Sequence, residues 1–224
     1  MKTLLFDIDG TLLVTNDTGT RALKAVLMGD FGVKHPNMEV KFGGRTDRAL
    51  LQELLLLNRI DATHANYVKF TAAYSAVLPR ALGECGGLVL PGVTELLTRL
   101  GKRDDIRCLV MTGNLKATAR EKLGYFRLLD YFDDIFGGDF DADRRHLARR
   151  TALFLRGIHG DQEGDGTVVI GDTPADIVCG LEINASVMGV CTGNFDRETL
   201  EQAGAHFVQQ DLSDVDTVYD WLTQ

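Results

Sequence analysis

Residues 3–13 read TLLFDIDGTLL, and the fold hangs on how this stretch is read. Thr3, Leu4, Leu5 and Phe6 make a short, mostly apolar run that reads as a buried strand. The run stops at Asp7, and Asp9 and Gly10 follow at once. Residues two apart in an extended chain point to the same side, so Asp7 and Asp9 can face one point while Ile8 turns away. Two carboxylates at the mouth of a strand repel each other unless a cation lies between them. That pattern marks a divalent metal site with oxygen ligands, or a nucleophile beside an acid/base. Gly10 allows the backbone to turn sharply straight after. An ordinary strand followed by an Asp-Gly turn is the competing explanation, and the rest of the chain has to discriminate.

Outward from this strand the chain changes character twice. Residues 15–87 are nearly all helical in pattern, with helices over about 20–31, 48–58 and 62–82. Thr46 or Asp47 is placed to cap the second of these, and the Leu54, Leu55, Leu56, Leu57 run reads as packing. From residue 88 onward, strands and helices alternate. Strands are expected over 107–111, before Gly137, over 167–170, over 186–190 and at 206–208, with helices between them and a Gly/Asp-rich loop over 157–166. Such alternation predicts an α/β fold with a Rossmann-like, doubly wound parallel sheet. The domain organisation read from it is a core of 1–14 and 88–224 with an inserted all-α segment, 15–87.

Composition narrows the function classes. The chain has 224 residues, 45% hydrophobic and 25% charged, enough for a real core. Its 24 basic and 32 acidic residues give a net charge of −8 without a basic block, so nucleic acid and anionic membranes are poor partners. The cysteines (Cys85, Cys108, Cys179, Cys191) show no CxxC spacing and read as free thiols in a reducing, cytoplasmic compartment. The N-terminus has neither the pattern of a signal peptide nor that of a membrane span. The scattered histidines show no metal-ligand spacing, which argues against zinc.

Two later strand ends carry the remaining chemistry. Gly171-Asp172-Thr173-Pro174-Ala175-Asp176 follows a buried strand. Thr173 and Asp176 match a capping box with Pro174 in the first turn, but this leaves Asp172 unexplained. Asp172 with Asp7 and Asp9 would make an all-oxygen site suited to magnesium. Thr112-Gly113-Asn114 closes another strand and opens a helix, where free N–H groups and a hydroxyl can hold an anion. Asn114 could equally be a simple helix cap.

FDIDGTLL, a strand ending in Thr112 and then IGDTPAD, in this order, resemble the haloacid dehalogenase superfamily, of the phosphoglycolate phosphatase-like type. The helical segment is similar to that family's cap domain. The resemblance implies a magnesium-dependent phosphatase acting on a small phosphorylated metabolite, phosphoglycolate-like or a sugar phosphate, as a monomer or homodimer. Asp7 would be the nucleophile and Asp9 the acid/base. Magnesium would be held by Asp7, the main-chain carbonyl of Asp9, and Asp172, with Asp176 behind them or only capping its helix. Thr112, Gly113 and Asn114 would hold the phosphate. The family's usual lysine is absent from the expected region. Lys116 and Lys122 come too early, so Arg144 or Arg145 stands in for it, Arg144 being preferred. Arg45, in a glycine-flanked loop, is either a substrate contact or a surface arginine. Asp9 weighs against the dehalogenase branch. A sugar phosphomutase and a non-catalytic phosphate-binding relative are the alternatives.

Overall fold

The computed structural model describes residues 1–159 and 166–224. In chain order the elements are β1 (Lys2–Phe6), β2 (Leu13–Val14), α1 (Thr18–Gly29), α2 (Asp47–Leu57), α3 (His64–Cys85), β3 (Leu88–Val89), α4 (Val93–Leu100), β4 (Ile106–Met111), α5 (Lys116–Tyr125), β5 (Ile135–Phe136), α6 (Arg144–His159), β6 (Thr167–Gly171), α7 (Pro174–Glu182), β7 (Ser186–Val190), α8 (Arg197–Gln202), β8 (Phe207–Gln209) and α9 (Val215–Thr223). Six strands form one parallel sheet in the order β5-β4-β1-β6-β7-β8. Strand β1 is central because its residues are apolar on both faces. Leu4 and Phe6 pack with α4, α5 and α9 on one side, and Leu5 packs with α6 and α7 on the other. Alternate residues of β4 divide in the same way, Cys108 and Val110 against Leu109 and Met111.

The order reverses at β1, between β4 and β6, and ligands on such sheets bind outside the strand C-termini at that point. Register aligns the three strand ends: Phe6 pairs with Val110 on one side and Ile170 on the other. Asp7, Thr112 and Asp172 therefore emerge side by side.

Helices α1–α3 are inserted between β2 and β3 and bury a core of their own around Leu23, Leu27, Leu51, Leu54, Phe70 and Leu78. The chain leaves and re-enters the sheet unit through a two-stranded antiparallel ribbon, Leu13 against Val89 and Val14 against Leu88. The Leu54–57 run packs only in part: Leu54 and Leu55 are fully buried, while Leu56 is 62% exposed, because a helix cannot turn four consecutive residues inward. Pro79 lies inside α3, which runs on to Cys85. Helix α6 continues past Arg156, and the loop expected over 157–166 lies largely outside the described residues.

Candidate active site

Strand β1 delivers Asp7, β6 delivers Asp172, and α6 begins with Arg144; all three are buried. One Arg144 Nη2 lies 2.5 Å from Asp176 Oδ1 and 3.4 Å from Asp7 Oδ1. The second contact is a charge contact without hydrogen-bond alignment, since Asp7 Oδ1 is buried with no hydrogen-bond partner. Arg145, the alternative, is half exposed and pairs with Asp143 at 2.6 Å. The structure thus brings Arg144 to Asp7 and leaves Arg145 at the surface.

Carboxylate oxygens of Asp7, Asp172 and Asp176 lie within 4.8 Å of one another. Burial, reinforced by the Asp176 carboxylate, pushes Asp7 up to about 7 and Asp172 up to about 8. Arg144 opposes both shifts but does not cancel them. Three carboxylates against one guanidinium leave surplus negative charge, and the donors are hard oxygens, so the set fits magnesium. The three are not equivalent, however. Asp176 spends Oδ1 on Arg144 and Oδ2 on the Thr173 amide (3.0 Å) and hydroxyl (2.6 Å). It closes the capping box and anchors Arg144, which leaves Asp7 and Asp172 as the available metal ligands. The backbone crowds Asp172 closely: a Cβ on Gly10 would fall 2.4 Å from its Oδ2, and one on Gly193 would fall 1.8 Å away. Thr11 Oγ1 adds a hydrogen bond to Asp172 Oδ1 at 3.3 Å.

Asp9 points away from this cluster. Its carboxylate accepts from Lys122 Nζ at 2.8 Å (Oδ1) and 2.6 Å (Oδ2), and from Asn114 Nδ2 at 2.8 Å (Oδ2). Lys122 Nζ also donates to Asn114 Oδ1 at 2.8 Å, and Asn114 Nδ2 donates to Thr112 Oγ1 at 2.9 Å. Asn114 is therefore not the helix cap, a position taken by Leu115 without a side-chain cap bond; its amide ties Asp9 to Thr112 instead. Lys122, set aside in the sequence as too early, is 4% exposed and inside the site. Its signal was its position on the buried stripe of α5, with Leu115, Thr118, Ala119 and Leu123, where an unpaired lysine would be costly. Lys116 is at the surface with Asp134.

The helical insert reaches the site through the N-terminus of α2. Thr46 is the cap, accepting from the Ala49 amide. The Asp47 amide donates to the Gly113 carbonyl at 2.7 Å, and its carboxylate accepts from the Leu115 amide at 2.8 Å. Approach is so close that a Cβ on Gly113 would fall 2.0 Å from the Arg45 carbonyl oxygen. Burial raises Asp47 to about 6, against the opposing Leu115 amide and Lys122 ammonium. Arg45 lines the cavity, but its guanidinium pairs with Glu53 at 2.5 Å, within the insert. A cavity of about 550 Å³ lies between sheet and insert, with Asp7, Asp9, Thr112, Gly113, Lys122 and Asp172 at its floor and Thr15, Phe42, Arg45 and Tyr74 higher up.

The family model for haloacid dehalogenase-like hydrolases matches residues 1–183. The phosphoglycolate phosphatase of Rhodospirillum rubrum is 30% identical over 232 residues, covering 99% of this chain and 90% of that protein. The phosphoglycolate phosphatase of Caulobacter vibrioides is 29% identical over 219 residues, with 95% and 88% covered. The crystal structure of a predicted phosphoglycolate phosphatase from Haemophilus somnus matches with a TM-score of 0.72 at 18% identity, over 100% of this chain and 98% of that one; at that identity the likeness speaks for the fold. Sequence, strand-end geometry and family match agree: the chain belongs to the haloacid dehalogenase-like hydrolases.

Proposed function

We propose that the protein is a magnesium-dependent phosphatase that cleaves a small phosphorylated metabolite, phosphoglycolate-like or a sugar phosphate, through an aspartyl-phosphate on Asp7. The observation that carries this reading is the division of the two opening carboxylates. Asp7 faces Asp172 and Arg144, whereas Asp9 faces Lys122 and Asn114. This division supports Asp7 as the nucleophile and Asp9, at the cavity wall, as the acid/base.

An Asp7 oxygen forms the new bond to phosphorus. The ester P–O bond breaks, and the leaving oxygen takes the proton of Asp9. Asp9, now a carboxylate, takes a proton from the water that attacks phosphorus; the Asp7–phosphorus bond breaks and inorganic phosphate is released. The Thr112 hydroxyl and the Gly113 amide hold phosphate oxygens, and Arg144 balances negative charge between Asp7 and Asp176. Magnesium would be held by Asp7, Asp172 and the Asp9 carbonyl, and it supplies charge neutralisation between carboxylate and phosphate. Residues 15–87 act as a cap that closes over the cavity on the β2/β3 ribbon and excludes bulk water. Four free cysteines fit a reducing, cytoplasmic compartment, and no described helix is long and apolar enough to cross a membrane.

The test is phosphate release from a panel of phosphorylated metabolites with and without magnesium. Release that needs magnesium and is abolished by Asp7→Asn is expected; no release from any compound overturns the reading. A bisphosphate-primed isomerisation in place of release would assign the site to a mutase.

A further inference from the structure

Lys122 has no role in the chemistry described so far, yet it is a buried cation in contact with a reacting group. Its aliphatic stem is buried along α5, and its ammonium makes three hydrogen bonds, one for each of its protons, to Asp9 Oδ1, Asp9 Oδ2 and Asn114 Oδ1. A lysine kept only for packing would be an apolar residue at this position, and a lysine kept for the surface would not be 4% exposed. Asp9 itself is not buried: its side chain is 40% exposed toward the cavity. A carboxylate with that much freedom would sample several rotamers without a partner. The two oxygens also differ. Oδ2 takes bonds from both Lys122 and Asn114, while Oδ1 takes only the Lys122 bond. Oδ1 therefore keeps a lone pair for a proton in transit.

Resting on the proposed phosphatase reading, we infer that Lys122 is a positioning residue for Asp9: with Asn114 it fixes the carboxylate so that Oδ1 meets the leaving oxygen of the substrate. With its three protons given to Asp9 and Asn114, Lys122 acts through Asp9. Its loss is then felt in proportion to how much the leaving group needs a proton. An alkyl alkoxide leaves poorly without one; p-nitrophenolate leaves as a stable anion.

The experiment compares Lys122→Met and Lys122→Arg with wild type, with magnesium, on an alkyl phosphate that the wild type hydrolyses and on p-nitrophenyl phosphate in single turnover. A misplaced acid costs on the order of 10²-fold in rate. Lys122→Met is expected to lower kcat on the alkyl ester by about that factor, with KM little changed. The single-turnover release of p-nitrophenolate should fall at least about tenfold less. Lys122→Arg, which keeps a donor cation, should recover part of the alkyl rate. In an Asp9→Asn background Lys122→Met should add no further loss, because the two act as one unit. Equal losses on both esters, or an added loss in the Asp9→Asn background, overturn the inference. Thermal melting identifies a Lys122→Met protein that does not fold. In that case Lys122→Arg decides alone: a loss concentrated on the alkyl ester supports the role, and an equal loss on both esters refutes it. The wild-type and Asp7→Asn controls report separately on the phosphatase reading, so its failure is distinguishable from that of the Lys122 role.

Discussion

Replacing Arg144 by alanine tests the electrostatic design of the site without reference to any substrate. Arg144 is buried between Asp7 and Asp176, and its removal leaves the buried carboxylates of Asp7, Asp172 and Asp176 with no guanidinium. Breaking a buried pair from one side costs roughly 3–5 kcal/mol. For a chain of this size that is a fall in Tm of roughly 6–20 °C. The cost has a definite pH dependence. Asp7 and Asp172 are held above the ordinary carboxylate range, at about 7 and about 8, mainly by burial. A carboxylate with a raised folded-state pKa binds its proton more tightly folded than unfolded. Its contribution to stability is complete below the unfolded pKa and is lost as pH rises through the folded one. Arg144 offsets that loss. Arg144→Ala should therefore cost less at about pH 5, where Asp7 and Asp172 are protonated, than at about pH 8.5, where both are charged; the broken pair with Asp176 is felt at both. Urea unfolding in the presence of a chelator, followed by the fluorescence of the single tryptophan, Trp221, stacked on Phe207, measures this directly. A difference below about 1 kcal/mol at the higher pH, or one that grows as pH falls, refutes the reasoning. Arg144→Lys, which keeps a charge but loses the fork, should lie between the two.

Asp47→Asn should stabilise the protein above about pH 7 and give no gain near pH 4, because the amide can still accept from the Leu115 N–H without carrying the buried charge. The shift to about 6 bounds the gain at roughly 3 kcal/mol, reduced by cavity water, and melting across pH checks it. Gly193→Ala should displace Asp172, since the new Cβ would overlap its carboxylate; magnesium titration by calorimetry should show weakened binding alongside lost phosphate release. Magnesium itself should raise Tm more at about pH 8 than at about pH 6, because Asp7 and Asp172 must release protons to hold it; a pH-independent shift would exclude them as ligands.

The parallel sheet was legible because each core strand is a continuous apolar run, and Asp7, Thr112 and Asp172 were legible because each breaks such a run at its end. What sequence could not show was which side chains bend back. Lys122 stands ten positions after Thr112 and was dismissed on chain order alone. Side chains of a helix lean toward its N-terminus, and the N-terminus of α5 lies at the site, so a four-carbon stem two turns along still reaches Asp9. Asn114 was read as a phosphate contact or a helix cap, and Asp47 as a cap candidate, because the rules for helix ends are local. Their observed partners, Asp9 and the Leu115 amide, lie 105 and 68 positions away, and no local rule contains them. Arg144 was reached from the opposite direction, by asking what replaced a missing lysine.

These residues together give two carboxylates separated by a single isoleucine opposite surroundings. In an isolated strand end Asp7 and Asp9 would share one environment. Here α6 brings a guanidinium to the first and α5 brings an ammonium to the second. Asp7 is buried among other carboxylates, with the Arg144 guanidinium beside it. Asp9 is open to the cavity and paired with the Lys122 ammonium. Because Asp47 and the Arg45 carbonyl press on Gly113 and Leu115, next to the Asn114 that holds Asp9, the helical insert and the Asp9 carboxylate share one short segment of backbone.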